Sequence, residues 1–298
     1  AGIERLSGTS MGTDWSLQAV APPRDAAAIV ERALDLVVAQ MSQWEPDSDL
    51  SRFNRAPAGA WQAVPPELLQ VVEAALAIAD ASGGAFDPGL GRLTEAWGFG
   101  SAGPVAARPD PSIAAPRGGI AFDRQAGKLR REEGASLDLS GIAKGYGVDL
   151  AAERLRDAGV RHFLIEVGGE LRGEGIRPDG HPWWVDVEPP PGWNGLPWRI
   201  ALHDLSVATS GDYRRGLEIE GRRYSHSFDP RTGLPIRNGI TSATVIHRSC
   251  MMADGWATAL TVAGPAAALD MADAHGLAAC LIADEREYVS RAWRAMLD

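Results

Sequence analysis

Two separated segments carry the oxygens, amides and charges from which a phosphate-and-metal site could be built: Ser136-Leu-Asp-Leu-Ser-Gly-Ile-Ala-Lys-Gly-Tyr146 and Ala253-Asp-Gly-Trp-Ala-Thr258. Each lies where an apolar strand-like run gives way to a helical pattern, a place where backbone groups and small polar side chains can meet a phosphate and its cation. Between them lies Tyr224-Ser-His-Ser-Phe-Asp-Pro-Arg-Thr-Gly233, a turn holding an ionisable His and an Arg. Read together, these segments point to an enzyme acting on a phosphorylated or nucleotide substrate.

Asp254 and Thr258 are spaced i, i+4 near a helix start, so their oxygens lie on one face within about 6 Å of each other. A carboxylate with a hydroxyl suits Mg²⁺, which keeps waters and substrate phosphate oxygens in its shell. The same pair also fits a capping Asp and a Thr bonded back to the previous turn. In the first segment, Gly141 permits close backbone approach, Lys144 can contact a diphosphate, and Asp138 can accept from a sugar or base donor. A capped helix with a solvated Lys is the alternative. The Walker spacing Gly-x4-Gly-Lys-Ser/Thr is missing.

His226 can serve as a general base near neutral pH if a hydroxyl is brought to it. It could equally brace the turn, in which Pro230 and Gly233 set the backbone and Asp229 reads as a turn-former. Thr209-Ser-Gly-Asp-Tyr213 follows a strand and offers hydroxyls and amides to a phosphate, or forms an ordinary turn. Met11, Trp44 and Phe86 stand beside loops, where they could sandwich a planar ring or simply pack in the core.

The elements that must position these groups follow from periodicity. Residues 10–20 alternate like a strand, and 25–41 form a helix with Ile29, Ala33, Leu36, Val37 and Met41 on one face. The segment 44–54 reads as loop. A helix begins near Pro66 and stops at Gly83-Gly84, residues 100–118 read as an exposed aperiodic insertion, and a third helix spans about 143–158. Strands are expected at 162–167, 184–187, 198–202 and 206–209, with a turn at Gly168-Gly169 and a hairpin around Glu220-Gly221. A strand at 243–247, helices at 251–263 and 266–274, and strands at 279–283 and near Tyr288 complete the pattern. Strands grouped with helices, without regular alternation, indicate an α+β class.

At 298 residues and 45% apolar content, the chain can bury a sizeable core as one domain or two closely packed halves. A net charge of −10 argues against nucleic acid as a partner, since that needs a basic footprint. No apolar run approaches the roughly 20 residues that span a bilayer. The first residues lack a secretory signal; since the chain opens without Met, we expect a processed form from which a signal or anchor has been removed. Cys250 and Cys280 read as two buried thiols and leave the compartment open.

On this footing the chain resembles the ApbE-like family of FAD:protein FMN transferases. The matching stretches are Met11–Thr13, Trp44–Asn54, Gly83–Pro88 with Trp97–Gly100, Leu137–Asp149, Gly168-Gly169, Thr209–Tyr213, Ser225–Gly233 and Ala253–Thr258. They run in family order across nearly the whole chain. The resemblance implies an α+β fold of the T-fold type, with mixed or antiparallel sheets and packed helices. It implies an enzyme that binds FAD with Mg²⁺, transfers FMN to a Thr (or Ser) hydroxyl of a partner flavoprotein as a phosphoester, and releases AMP.

By position, Met11, Trp44, Ala85, Phe86, Asp87, Asp138, Lys144 and Phe228 fall where the family contacts FAD. The Gly141 carbonyl, Asp254 and Thr258 fall where it holds the metal, and His226 where the acceptor hydroxyl would be activated. Two departures stand out: Trp44 replaces a frequent Tyr, and Gly89 a common Thr. The acceptors implied are flavoprotein subunits of membrane electron-transfer systems, and the location implied is the periplasm, with a lipid anchor in many relatives. The rival readings are an FAD pyrophosphatase releasing FMN and AMP, and an FAD-binding carrier without catalysis.

Overall fold

The computed structural model describes residues 2–110, 113, 118–211 and 216–297. Its centre is an eight-stranded antiparallel sheet in the order Ile3–Ser10, Thr13–Val20, Phe163–Val167, Glu170–Glu174, Leu205–Gly211, Ile240–His247, Ala278–Ala283, Arg286–Val289. Side chains alternate between its faces. Phe163, Ile165 and Val167 join the larger core, while Leu164 joins a smaller one on the opposite face. The α+β class is therefore present, with the long helices gathered against one side.

Helices Ala26–Met41, Pro66–Ala81, Ala143–Asp157 and Cys250–Ala263 supply most of the rest of the larger core. The second face is covered by the hairpin Trp183–Asp186 and Arg199–Leu202, through Trp183, Val185, Ile200 and Leu202, and by Trp293 of the short helix Arg291–Arg294. Besides that hairpin, three small sheets lie outside the main one among the described residues. They are Gln62–Ala63 with Lys128–Arg131 and Ile120–Asp123, Gly216–Ile219 with Arg222–Ser225, and Phe228–Asp229 with Leu234–Pro235. Among the described residues no helix is long and apolar enough to cross a membrane.

Several expectations need correction. The strand read at 10–20 is the second arm of a hairpin. Ser10 pairs with Thr13, and Met11 and Gly12, both at positive φ (53° and 72°), make the two-residue turn. Met is an unusual occupant of that backbone region, so the turn carries no Asn-Gly signature. The expected loop at 44–54 contains the helix Asp49–Arg55, started by the Ser48 hydroxyl accepting from the Ser51 amide at 3.0 Å. Its buried apolar residues are Leu50 and Phe53, too short a pattern to register as periodic.

In the first long helix the buried face includes Val30 and Leu34, whereas Leu36 is only partly buried. The strand expected to stop at Thr209 runs on to Gly211, held by the pairing of Thr209 with Thr244 and Gly211 with Ser242. Asp212 and Tyr213 of the expected turn lie outside the described residues, as does part of the 100–118 insertion. The short helix Gly91–Ala96 was not expected from the sequence. Both cysteines are free and buried.

Candidate active site

The segment containing Asp138 is held by groups distant in sequence. Asn54 clamps it from both sides: its Oδ1 accepts from the Leu137 amide at 2.7 Å and its Nδ2 donates to the Leu137 carbonyl at 2.9 Å. The Asp138 amide donates to the Pro88 carbonyl at 2.9 Å, so the Gly83–Pro88 stretch and the Asp138 loop are set side by side. Helix Ala143–Asp157 then starts at once, bringing Lys144 into its first turn.

Helix Cys250–Ala263 is anchored to that helix by Asp149. The Asp149 carboxylate accepts from the Ser249 hydroxyl at 2.7 Å, the Cys250 amide at 2.9 Å and the Met251 amide at 3.0 Å, and meets Arg172 at 2.7 Å. A carboxylate on otherwise orphaned first-turn amides is favourable both as hydrogen bonding and against the helix dipole. One turn further on, Asp254 Oδ2 accepts from the Gly145 amide at 2.9 Å. A further turn brings Thr258, whose hydroxyl donates to the Gly141 carbonyl at 3.3 Å.

Asp254, Thr258 and the Gly141 carbonyl therefore meet at the junction of two helices. Asp254 is 5% exposed. Burial raises its carboxyl above the ordinary range, opposed by the Lys144 charge and the Gly145 amide. Its only hydrogen bond among the described residues is the one from Gly145 to Oδ2, which leaves Oδ1 for another ligand. Among the described residues no group of three or more His, Cys, Asp or Glu side chains is arranged to hold a metal. A cation here would rest on one carboxylate and neutral oxygens, a set that suits a hard ion completed by water and phosphate oxygens.

One cavity is lined by Ala85, Phe86, Asp87, Asp138, Gly141, Lys144, His226, Phe228, Asp254 and Thr258. A second, containing Met11, Met41 and Trp44, adjoins it across Asp138, Ser140 and Lys144, which line both. The residues that the resemblance assigns to FAD, to the metal and to the base thus line these two adjoining cavities. Trp44 is 47% exposed, which sets aside core packing as its role. Phe86 is buried and belongs to the main core while presenting an edge to the cavity. Phe228 sits among Trp97 and Phe99, with centroids 6.0 Å and 5.9 Å away.

His226 stands between the strands Arg222–Ser225 and Phe228–Asp229, half-buried, its ring edge-on to Phe99 at 6.4 Å. The neighbouring backbone is tied down by the Ser227 amide donating to the Ser225 hydroxyl at 3.0 Å. Asp229 caps its own turn, accepting from the Arg231 amide at 2.9 Å.

Three side chains are more committed than the sequence suggests. Lys144 Nζ lies 2.6 Å from Glu170 Oε2, a carboxylate that is almost wholly buried. Its charge is shared with that partner before any phosphate arrives. Asp138 accepts from the Thr94 hydroxyl at 2.7 Å and from the amide and hydroxyl of Ser140 at 2.9 Å and 2.6 Å. Asp87 similarly accepts from the amides of Gly89 and Gly118, at 2.7 Å and 3.1 Å. A side chain at Gly89 would place its Cβ 2.6 Å from the Gly118 carbonyl, so the Thr common elsewhere has no room here.

Sequence reasoning missed Asn54, Thr94, Asp149 and Glu170 as parts of the site. Asn54 and Asp149 end stretches quoted for the family resemblance, and Glu170 follows the Gly168-Gly169 turn. Their roles rest on partners 83, 44, 101 and 26 residues away, which no local pattern reveals.

Comparison with known proteins gives a consistent result. A model of the ApbE family matches residues 11–281. The FAD:protein FMN transferase of Vibrio cholerae is 37% identical, aligned over 98% of this chain and 92% of its own length. That of Haemophilus influenzae is 33% identical over 93% and 85%. Among solved structures, the apo flavinyl transferase ApbE of Pseudomonas stutzeri superposes with a TM-score of 0.89 at 35% identity, covering 98% of this chain and 96% of that one.

Proposed function

The chain belongs to the ApbE family and is an enzyme of the FAD:protein FMN transferase type; from that premise we propose that it moves FMN from FAD to a Thr (or Ser) hydroxyl of the acceptor protein in a Mg²⁺-dependent reaction that releases AMP. The acceptor oxygen forms a bond to the FMN-side phosphorus, and the bond from that phosphorus to the bridging oxygen of AMP breaks. The hydroxyl proton passes to His226. The observation that carries this reading is the meeting of His226, Lys144, Asp254 and Thr258 in one cavity that continues into the Trp44 cleft.

Each residue has a task that follows from its surroundings. The exposed face of Trp44 and the thioether of Met11 offer two apolar surfaces for the flavin ring. Phe86 and Phe228 line the other end, where the second aromatic half of FAD would lie. Lys144, anchored by Glu170, presents its charge at the boundary between the two cavities, where the diphosphate must cross. Asp254, Thr258 and the Gly141 carbonyl would hold Mg²⁺, which when bound neutralises phosphate charge as the leaving group departs. His226 lies in the more polar cavity, where a hydroxyl from outside can reach it.

The FAD pyrophosphatase reading uses the same residues with water in place of the hydroxyl. Incubation of the enzyme with FAD, Mg²⁺ and a Thr-containing peptide separates the two. Transfer yields flavin fluorescence that stays with the peptide through denaturation, together with one AMP per flavin attached. Free FMN with an unmodified peptide would sink the transfer reading. The family resemblance further supports an exported enzyme acting on a flavoprotein subunit of a membrane electron-transfer system. Loss of covalent flavin bands from the membrane fraction after gene deletion would test that acceptor.

A further inference from the structure

Behind the Phe228–Asp229 hairpin lies a second recess whose character is opposite to that of the chain as a whole. The protein carries a net charge of −10, yet among the described residues this recess is lined by Arg108, Arg222, Arg231 and Arg237 against a single carboxylate, Asp229. That carboxylate pairs with Arg231 through two bonds, at 2.8 Å and 2.9 Å. Arg108, Arg222 and Arg237 are exposed and meet no carboxylate among the described residues. Three guanidinium groups are thus left to face the same opening.

The recess also has a fixed aromatic wall. Trp97 and Tyr224 are buried and pack at 5.2 Å between centroids, and the Arg237 guanidinium lies over the Tyr224 ring at 5.3 Å. Stacking holds an arginine in place while leaving its N–H edge free for an anionic partner. The recess and the catalytic cavity share Val262, and the strand bearing Arg222 and Tyr224 leads directly to His226.

The geometry points to a docking recess for an acidic segment of the acceptor protein, lying beside the hydroxyl that receives the flavin. This rests on the reading of the chain as a transferase to a protein hydroxyl. Carboxylates flanking the target hydroxyl meet an otherwise repulsive acidic enzyme, so local complementarity decides which hydroxyl is presented. Arginine forks suit carboxylates because they bond them with two parallel N–H groups.

Two fluorescein-labelled peptides test this, each with a central Thr, one flanked by Asp and Glu and the other by Asn and Gln at the same positions. Binding to the FAD- and Mg²⁺-loaded enzyme is followed by anisotropy. The acidic peptide should bind about tenfold tighter at low salt, with the preference shrinking as salt rises. R222E/R237E should erase the preference and R222Q/R237Q reduce it, with FAD affinity, read from flavin quenching, unchanged. Equal binding of the two peptides, or an unaltered preference in R222E/R237E, overturns the proposal. So does displacement of the peptide by inorganic phosphate at concentrations too low to screen charge, which would assign the recess to a free anion. If the acidic peptide binds wild type but not R222E/R237E and neither peptide becomes flavinylated, the recess stands and transfer to a hydroxyl fails.

Discussion

The Gly145 amide donates to the Asp254 carboxylate at 2.9 Å, tying together residues 109 apart in sequence. The bond fixes a buried acid at the start of one helix against the backbone of another. It is possible only because the two helices come unusually close: a Cβ at position 145 would lie 2.3 Å from the Cys250 carbonyl oxygen and 2.8 Å from the Asp254 Cβ.

Gly145→Ala should therefore push the helices apart. We expect a loss of stability of about 3 kcal/mol, the upper part of the usual range for overpacking, together with weaker Mg²⁺ activation. A denaturant midpoint and a Mg²⁺ titration of flavin transfer measure the two effects. A variant with wild-type stability would show that the close approach is not needed.

Asp254→Asn separates charge from scaffold. The amide oxygen can still accept from Gly145, so the fold should hold, but a neutral amide is a poor partner for a hard dication. Transfer at saturating FAD should fall by at least about a hundredfold at millimolar Mg²⁺. An unchanged Mg²⁺ requirement would place the metal elsewhere.

His226→Ala should leave FAD binding nearly intact while slowing transfer by about 10²–10⁴-fold, the usual contribution of a positioned base. The comparison is between single-turnover transfer and flavin quenching on the same protein. Wild-type transfer by the variant would remove His226 from the proton path.

Below neutrality the start of helix Cys250–Ala263 should weaken. Burial lowers the His247 imidazole below its ordinary 6.5, and its Nδ1 accepts from the Ser249 amide at 2.9 Å, closer than the 3.3 Å to the Ser249 carbonyl. The folded state takes up a proton less readily than the unfolded chain. Stability is thus fully present above the lowered folded value and the ordinary one, and is lost as pH falls from 6.5 through the folded value. His247→Asn, which can accept the same amide in an Asx turn, should flatten that slope when melting temperatures are compared at pH 7.5 and 5.5.

Much of this was legible in the chain. The long helices declare themselves through apolar spacing, and Pro66 and Gly159 mark a start and a stop. The hairpin at Glu220-Gly221 follows from its turn residues, both at positive φ (52° and 71°). The hairpin at Met11-Gly12 has the same backbone signs, but the apolar Met at its first turn position gives no turn signal, so the alternation from residue 10 to 20 reads as continuous strand. Helix Asp49–Arg55 depends on one Ser cap and two apolar contacts, too little for periodicity to detect. Thr209–Gly211 looked like a turn because Ser and Gly favour turns, yet cross-strand pairing with Thr244 keeps it extended.

The sequence alone determined the types of group available: a carboxylate and a hydroxyl four residues apart on one helix, a lysine at the start of another, and a histidine in a turn. Helical spacing is a local property, and it places Asp254 and Thr258 on one face without reference to anything else. Tertiary structure alone decided that Gly141 meets that face, that Lys144 is paired with Glu170, and that Asp149 holds one helix start against another. Those contacts depend on sheet register and on how closely two helices can pack. Both are settled by the burial of the whole core and by which neighbours a glycine lets in.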